Sequence, residues 1–391
     1  MPATPQRLHI DRSDLQRCSL LPDPDAPATR PLQPGQVRLE VQHFALTANN
    51  ITYAAFGKAM KYWQFFPAAD AAMGCLPVWG FATVVESQAA GAAPGQRVYG
   101  YLPAGSHLVV QPGRITARGF IDLAAHRQEL AAIYNQYSFC ESDPGWQADQ
   151  EGLQAVLRPL FMTGFLIDDF MADNQFFGAS QMLLSSASSK TAFGTAFCMA
   201  RRLGRGSARG LVAQPASGPQ VSGLTSRANL AFTQSLGCYA KVAAYEALAQ
   251  LDATQPTVYI DFSGNAALRQ AVHTHFGPAL KFSSSIGGTH WQALGSGSGL
   301  PGPRPTLFFA PAQAAKRSAA PPQGWGRAQL EQRMGLAWSD FIQQVQASAG
   351  QAEPWVQIVE RRGASAMQAA YLETLNGLGD PRQGLMIDPR G

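Results

Sequence analysis

A short apolar run, followed by a serine-rich turn and a helix, constrains the fold more than any other feature. Residues 181–184 read Gln-Met-Leu-Leu without polar alternation, as expected of a strand that is covered on both faces. Small residues follow at 185–189, and a helix is predicted from about Thr191 to Leu203. Further strands are predicted at 220–224, 238–243, 256–262, 280–286 and 306–310, with helices at 227–236 and 266–276 between them. Alternating strands and helices predict a parallel α/β sheet.

The first third of the chain has a different pattern. Val37, Leu39 and Val41 alternate with polar residues, which predicts a half-buried strand. Further short strands are predicted at 81–85, 95–99 and 107–111, with Pro and Gly turn signals between them. This pattern predicts a small β-barrel or sandwich. The last third contains a predicted amphipathic helix at 327–347 and then strand, helix and strand at 355–359, 364–375 and 385–387.

Composition limits the class of protein. A chain of 391 residues predicts about two domains, and 38 Gly with 27 Pro indicate many turns. The net charge of +4 is spread along the chain, so no nucleic-acid partner is expected. The apolar stretch 65–85 is interrupted by Pro, Gly and Asp, and the chain starts without an apolar segment. The five cysteines include no Cys-x-x-Cys pair. We therefore expect a cytoplasmic protein with no membrane partner, no disulfide framework and no bound metal.

The serine-rich turn has the layout of a dinucleotide site. A buried strand, a turn of small residues and a helix N-terminus present backbone N–H groups to a diphosphate. Serines stand where the G-x-G-x-x-G pattern has glycines, so a plain strand–helix turn remains the alternative. Leu184 and Ser189 exclude a P-loop, and Ala187 excludes a Ser-x-x-Lys nucleophile. The cofactor-binding candidates here are Ser186, Ser188, Ser189, Lys190, Thr191 and Gly194; Gly194 is expected to let the helix pack against the sheet.

The end of the next predicted strand favours NADP(H) over NAD(H). An acidic residue at this place would bind the ribose 2′-hydroxyl, whereas Arg accommodates a 2′-phosphate. No Asp or Glu lies between Thr195 and Ala244, and Thr225, Ser226 and Arg227 end the strand. The alternative is a solvated arginine in the first turn of a helix. Ser263 and Gly264, in the turn after the strand 256–262, complete the predicted cofactor site.

Several segments resemble the medium-chain dehydrogenase/reductase superfamily. They include GFATVVE, PGQRVYGY, TSRANLAFTQSLGCY and DFSGN, in the order of that superfamily. The segments NNITYAAFG, YWQFFP and SSASSKTA resemble, more closely, an uncharacterised bacterial family that carries a domain-of-unknown-function label. The resemblance implies a GroES-like substrate domain at 1–150 and 352–391. It also implies a Rossmann NADP-binding domain at 151–351.

Zinc divides this superfamily. The zinc alcohol dehydrogenases use Cys, His and Cys at the catalytic metal and four Cys in a structural lobe. Residues 45–50, after the first long strand, contain no Cys, and the four-Cys lobe is absent. His43, His107 and His290 have no thiol or carboxylate partner nearby in sequence. The chain therefore resembles the zinc-free quinone and enoyl reductases.

The resemblance implies hydride transfer from NADPH to an activated C=C bond of a small molecule, such as an enone, a quinone or an enoyl thioester. A developing enolate needs hydrogen-bond donors and a proton. Tyr53 is the predicted proton donor with Asn49 and Asn50 as polar neighbours, and Tyr62, Trp63 and Phe65 are the predicted pocket wall. The alternative is that these aromatic residues are core. A non-catalytic NADPH-binding sensor or structural protein, and an accessory reductase for carrier-bound acyl or polyketide intermediates, remain open, as does a homodimer.

Overall fold

The computed structural model describes residues 4–204, 218–286, 299–346 and 353–390. The strands, in chain order, are β1 (Gln6–Asp11), β2 (Cys18–Pro22), β3 (Val37–Leu46), β4 (Met73–Cys75), β5 (Pro77–Ser87), β6 (Arg97–Pro103), β7 (His107–Val110), β8 (Pro112–Thr116), β9 (Gly119–Asp122), β10 (Gln136–Phe139), β11 (Gln181–Leu184), β12 (Gln220–Thr225), β13 (Lys241–Ala244), β14 (Thr257–Asp261), β15 (Leu280–Ser285), β16 (Thr306–Leu307), β17 (Gln357–Arg362) and β18 (Gln383–Asp388). The helices are α1 (Ala48–Ala55), α2 (Glu151–Asp173), α3 (Lys190–Arg202), α4 (Leu230–Ser235), α5 (Ala266–Phe276), α6 (Ala310–Ser318), α7 (Arg327–Gln346) and α8 (Ala364–Leu375).

The chain divides into two compact units. The β-rich unit comprises Met1–Val156 and Gln357–Gly391, and the parallel unit comprises Leu157–Val356. In the β-rich unit a nine-stranded sheet has the order β17-β18-β3-β5-β6-β10-β9-β8, with β7 paired to β3. A second sheet has the order β2-β1-β4. The alternating side chains of Val37, Leu39 and Val41 are fully buried, as the period-2 pattern predicted.

The parallel unit contains a six-stranded sheet in the order β13-β12-β11-β14-β15-β16, and its neighbouring strands pair in parallel. This is the 3-2-1-4-5-6 order of a doubly wound sheet that is built from two mononucleotide-binding halves. The predicted strand Gln181–Leu184 and the predicted helix Ala266–Phe276 are confirmed residue for residue. The expected combination of a GroES-like β domain with a Rossmann-type sheet is therefore confirmed.

Several local predictions differ from the structure. The predicted helix at 227–236 is a 3₁₀ turn at Arg227–Asn229 that leads into the shorter helix α4. Helix α2 was not predicted, and it contains Pro159, a residue that normally signals a helix end. The predicted loop at 204–219 lies largely, and the loop at 295–305 partly, outside the described residues, and His290 and Ala347 lie wholly outside them. No helix among the described residues is long and apolar enough to cross a membrane.

The role predicted for Gly194 was wrong in its physical reason. A Cβ at Gly194 would face helix α2, at an ordinary 3.7 Å from the Cα of Phe161, and it would not meet the sheet. The close approach between helices α2 and α3 occurs at Gly164 instead. A Cβ at Gly164 would lie 2.8 Å from the backbone nitrogen of Thr195, a distance that real Cβ atoms do not adopt. Glycine is therefore required at Gly164, and space remains at Gly194.

Candidate functional site

Most of the predicted cofactor residues meet at the carboxyl edge of the parallel sheet. Strand β11 lies between β12 and β14, so the turns that follow these three strands are neighbours. We call the turns 185–189, 225–229 and 262–265 the carboxyl-edge site. In open α/β sheets, ligands bind beyond the carboxyl ends of the strands, where the strand order reverses. In this sheet the reversal lies between β11 and β14.

The turn after β11 is held in an unusual backbone conformation. Ser186 has a φ of +46°, in the left-handed region that residues other than glycine rarely adopt. Its backbone N–H donates to the hydroxyl of Tyr245 at 3.2 Å, and the N–H of Ala187 donates to the carbonyl of Leu224 at 3.0 Å. These bonds fix the turn that leads into helix α3.

Helix α3 starts directly after this turn. The hydroxyl of Ser189 accepts a hydrogen bond from the backbone N–H of Ala192 at 3.4 Å and so caps the helix. Lys190 and Thr191 form the first turn and are half-buried. Because a helix N-terminus carries partial positive charge and amide groups without helical acceptors, this arrangement favours a bound anion.

Gly223 permits a close approach that the sequence analysis did not recognise. It lies within strand β12, and a Cβ there would be 2.7 Å from the Cβ of Ala187. A glycine inside a predicted strand is the signal that could have revealed this contact. The small residue in the β11 turn and the glycine on the adjacent strand therefore depend on each other.

Ser188 joins the turn after β11 to the end of β12. Its hydroxyl oxygen accepts hydrogen bonds from Oγ1 of Thr225 at 3.3 Å and from Nδ2 of Asn229 at 3.2 Å. Ser226 is half-buried, and Arg227 is exposed with no ion-pair partner in the described parts of the chain. The structure thus brings Ser188 and Thr225 together and leaves the Arg227 guanidinium facing solvent.

Ser263 and Gly264 contribute in a different way from the one predicted. The hydroxyl of Ser263 is completely buried and donates to Asp261 at 2.8 Å. The backbone N–H of Gly264 donates to the same carboxylate at 3.0 Å. The prediction that the Ser263 side chain contacts the cofactor is therefore corrected: this side chain shapes the turn instead. Asp261, which the sequence analysis did not single out, organises this part of the site.

An open cavity of about 310 Å³ lies next to these turns. It is lined by Tyr245, Glu246, Asn265 and Leu268. Tyr245 also accepts the hydrogen bond from Ser186, so the cavity is adjacent to the turn after β11. Burial raises the pKa of Tyr245, which keeps its hydroxyl protonated and able to donate.

In the β-rich unit, the predicted proton donor Tyr53 lies within an aromatic cluster on and around helix α1. We define this aromatic cluster as Tyr53, Tyr62, Phe65, Trp79, Tyr101 and Tyr134. Tyr53 is 5% exposed, and its hydroxyl accepts a hydrogen bond from Nε1 of Trp79 at 3.2 Å. The side chains of Asn49 and Tyr134 lie near this hydroxyl and lower its pKa slightly. Burial is the largest cause that raises the pKa of Tyr53.

The structure gives Asn50 a local structural role. Its Oδ1 accepts from the backbone N–H of Thr47 at 2.7 Å and from the Thr47 hydroxyl at 3.1 Å, which completes a capping box at the start of α1. Its Nδ2 donates to the carbonyl of Pro77 at 2.9 Å. Both polar atoms are therefore used within the fold, and Asn50 is corrected from a catalytic neighbour to a helix cap.

The three predicted pocket-wall residues are all buried. Trp63 fills the space next to Gly57 and Gly74, where a Cβ would lie 2.2 Å and 2.4 Å from its ring. The hydroxyl of Tyr62 lies 3.5 Å from that of Tyr134, and the ring of Phe65 packs edge-on against the same residue. These contacts make Trp63 a core residue and place Tyr62 and Phe65 within the aromatic cluster.

His43 has partners that its sequence neighbourhood does not reveal. Its Nδ1 lies 3.7 Å from a carboxylate oxygen of Glu360, and Asp388 completes a group of three potential metal ligands. Arg390 binds both carboxylate oxygens of Asp388, at 2.8 Å and 3.0 Å, and Arg362 lies 3.3 Å from Glu360. A cation would have to displace these arginines, so we assign no metal to this group.

Comparisons with solved structures identify the fold. The chain is similar to CurA from Vibrio vulnificus, crystallised in complex with NADPH, with a TM-score of 0.58, 11% identity and 99% of each chain covered. It is similar to CurK enoyl reductase with a TM-score of 0.52, 13% identity, and 99% of this chain and 100% of that chain covered. A putative NADPH:quinone reductase from Mesorhizobium loti matches with a TM-score of 0.51, 13% identity, and 92% and 88% covered. The chain therefore shares its fold with these solved structures.

A family model gives the membership of this chain within that fold class. Residues 44–380 match the model described as protein of unknown function (DUF2855), which covers most of the chain. The chain therefore belongs to this family, as the sequence resemblance predicted. No curated protein matches the chain.

Proposed function

We propose that this protein is a metal-independent, NADPH-dependent reductase that transfers hydride to an activated C=C bond of a small molecule. The observation that carries the proposal is the carboxyl-edge site, in which a capped helix N-terminus and an exposed arginine occupy neighbouring turns of a 3-2-1-4-5-6 sheet. Similarity to proteins described as an NADPH complex, an enoyl reductase and a putative NADPH:quinone reductase supports it.

The cofactor residues follow from the local chemistry. The turn after β11 and the N-terminus of α3 would hold the diphosphate, with Lys190 adding charge. Gly223 and Ala187 fit this use, because larger side chains would fill the space between the turn and strand β12. The cavity beside Tyr245 would take the adenosine end.

Arg227 would select NADPH. It is exposed and lacks an ion-pair partner among the residues that the structure describes, so its charge is available to a 2′-phosphate. No acidic side chain is present between residues 195 and 244 to bind the 2′-hydroxyl of NADH or to repel the phosphate. Charge-assisted hydrogen bonds contribute about 1.5–3 kcal/mol, which corresponds to a preference of roughly 10–100-fold.

Tyr53 is the proposed proton donor in the β-rich unit. NADPH supplies the hydride when it is bound, and the enolate that forms then needs a proton. The raised pKa of Tyr53 keeps its hydroxyl protonated at neutral pH, and Asn49, which lies nearby, would orient it in the complex. The hydroxyls of Tyr134 and Tyr62 lie in the same aromatic cluster and offer a route for reprotonation.

One observation favours a second candidate function, a protein that binds NADPH without turnover. Tyr53 is buried and its hydroxyl already accepts a hydrogen bond from Trp79, and Asn50 completes a capping box at the start of α1. In that case the carboxyl-edge site would bind the cofactor, and the aromatic cluster would be core.

Calorimetry with NADPH and NADH tests the cofactor assignment first. Arg227→Ala is expected to weaken the binding of NADPH roughly 10–100-fold. The affinity for NADH should not change, because NADH has no 2′-phosphate. Arg304→Ala, another exposed arginine of the parallel unit, is the matched control. Equal affinity of the wild type for the two cofactors would contradict the assignment.

Oxidation of NADPH with an enone, a quinone and an enoyl thioester then separates enzyme from binder. Turnover with any of the three, lowered in kcat by Tyr53→Phe, supports the reductase. Tight binding of NADPH together with turnover of none of the three substrates supports the second candidate function, a protein that binds NADPH without turnover. A preference for the thioester with a carrier attached would point to an accessory reductase.

A further inference from the structure

Asp261 is a buried carboxylate on which two turns of the carboxyl-edge site converge. It ends strand β14 and is 1% exposed. Its Oδ1 accepts hydrogen bonds from the turn after β11, from β14 itself and from the turn after β14: Oγ of Ser185 at 2.9 Å, the hydroxyl of Tyr259 at 3.1 Å, the backbone N–H of Ser263 at 3.0 Å, Oγ of Ser263 at 2.8 Å and the backbone N–H of Gly264 at 3.0 Å. Oδ2 lies 3.6 Å from Nη1 of Arg269.

Ser185 is the link between the two turns. It follows β11 directly, is completely buried and donates to Asp261. Its oxygen also accepts from the backbone N–H groups of Phe262 at 3.0 Å and Ser263 at 3.1 Å. The Ser185 hydroxyl, which lies in the turn after β11, thus hydrogen-bonds to the turn after β14.

A buried carboxylate is costly unless donors and an opposite charge compensate it. Asp261 has both, since five hydrogen bonds reach one oxygen and Arg269 faces the other. A core position at the end of an apolar strand could hold a hydrophobic side chain without this cost. The arrangement is therefore explained best by the geometry that it imposes on the turns.

We infer that the Ser185–Asp261 pair is a positioning device that fixes the turns after β11 and β14 as one rigid binding edge. Asp261 is a positioning residue, because its carboxylate faces inward and reaches a ligand only through the turns. The inference rests on the proposed cofactor site for its effect on binding. Its effect on the two turns themselves can be tested without any ligand.

The primary test compares Ser185→Ala with Ser222→Ala. Ser222 lies on the adjacent strand β12, is equally buried, and its hydroxyl has no hydrogen-bond partner among the described residues. Ser185→Ala is expected to increase amide hydrogen exchange at residues 262–264 at least 10-fold in the unliganded protein. It is also expected to raise the dissociation constant for NADPH about 10-fold. Ser222→Ala should change neither.

Two further variants separate positioning from general destabilisation. Asp261→Asn keeps an acceptor oxygen for the five donors and should bind NADPH more tightly than Asp261→Ala. Leu280→Ala weakens the core at the start of β15 and should leave the NADPH dissociation constant unchanged while the protein stays folded. Weakened binding in Leu280→Ala equal to that in Ser185→Ala would show that stability alone is responsible and would overturn the inference.

The outcomes distinguish the inference from the proposed function. If wild-type protein does not bind NADPH, the proposed function fails, and the exchange rates at residues 262–264 still decide whether the two turns are coupled. In the other case, wild-type protein binds NADPH while Ser185→Ala keeps the wild-type amide exchange rates at residues 262–264 and the wild-type dissociation constant for NADPH. That result would reject the positioning role and leave the cofactor site in place.

Discussion

The carboxyl-edge site and the aromatic cluster use polar groups in opposite ways. In the carboxyl-edge site, the buried side chains of Ser185 and Asp261 accept hydrogen bonds from backbone N–H groups of the turn after β14. In the aromatic cluster, the hydroxyls of Tyr53 and Tyr62 bind neighbouring side chains. The first arrangement orders the backbone of two turns, whereas the second pairs side-chain hydroxyls with each other and with Trp79.

This difference explains which sequence predictions were informative. A cofactor edge is defined by strand order, small residues and a helix start, and these are visible as local patterns. A catalytic side chain is defined by where its polar atoms point, which depends on residues far apart in sequence. Asn50 and Pro77 illustrate this, because no local pattern announces their hydrogen bond.

The largest expected effect concerns Trp63 and the assignment of its ring to core. Trp63→Ala should lower the free energy of unfolding of the β-rich unit by about 3–5 kcal/mol, since a buried ring next to Gly57 and Gly74 is lost. Urea denaturation measures the loss, with Leu378→Ala as the control because Leu378 is 73% exposed. A loss below about 1 kcal/mol would instead favour a pocket wall.

A smaller effect is expected where helices α2 and α3 cross. Gly164→Ala should lower the free energy of unfolding by about 1–3 kcal/mol, because the added Cβ would lie 2.8 Å from the Thr195 backbone nitrogen. Gly194→Ala is the matched variant, since its Cβ would have a 3.7 Å contact. It should be neutral or slightly stabilising, because Ala favours a helix over Gly. Equal losses in both variants would contradict the assigned close approach.

The charge of Lys190 should contribute equally to the binding of NADPH and of NADH. Lys190→Ala is expected to weaken NADPH and NADH by the same factor, roughly 10-fold, because the diphosphate is common to both. Lys281→Ala removes an exposed lysine at the start of β15 and should change neither dissociation constant. A selective loss of NADPH alone would move Lys190 from the diphosphate to the 2′-phosphate.

The fold was largely predictable, and the details of the site were not. The strand at 181–184 and the helix at 266–276 were predicted correctly because burial and periodicity are local. Helix α2 was missed because Pro159 lies within it, and Gly164 was missed with it. Asp261 was overlooked because its bond to Ser185, which joins the two turns, forms only when the paired strands bring these residues together.

The smallest effect separates the two descriptions of Tyr53. Tyr53→Phe removes the acceptor of the Trp79 hydrogen bond and should lower the free energy of unfolding by about 1 kcal/mol at pH 7. Burial raises the pKa of Tyr53, so above pH 10 the unfolded chain loses this proton while the folded protein keeps it. Wild-type protein therefore loses stability as pH rises, and the Phe variant lacks this contribution.

At pH 10.5 the difference in the free energy of unfolding between wild type and Tyr53→Phe should be about 0.8 kcal/mol smaller than at pH 7. Tyr101→Phe is the control, because the Tyr101 hydroxyl is buried with no partner among the described residues. Removal of the Tyr101 hydroxyl should not lower the free energy of unfolding at pH 7, since an unpaired buried hydroxyl is itself unfavourable.

If Tyr53→Phe likewise leaves the free energy of unfolding unchanged at pH 7 but abolishes turnover, the Tyr53 hydroxyl is catalytic and the aromatic cluster is a reaction site. A cost at pH 7 with unchanged turnover would make the hydroxyl a structural group, because a proton donor cannot be removed without slowing the step that needs its proton.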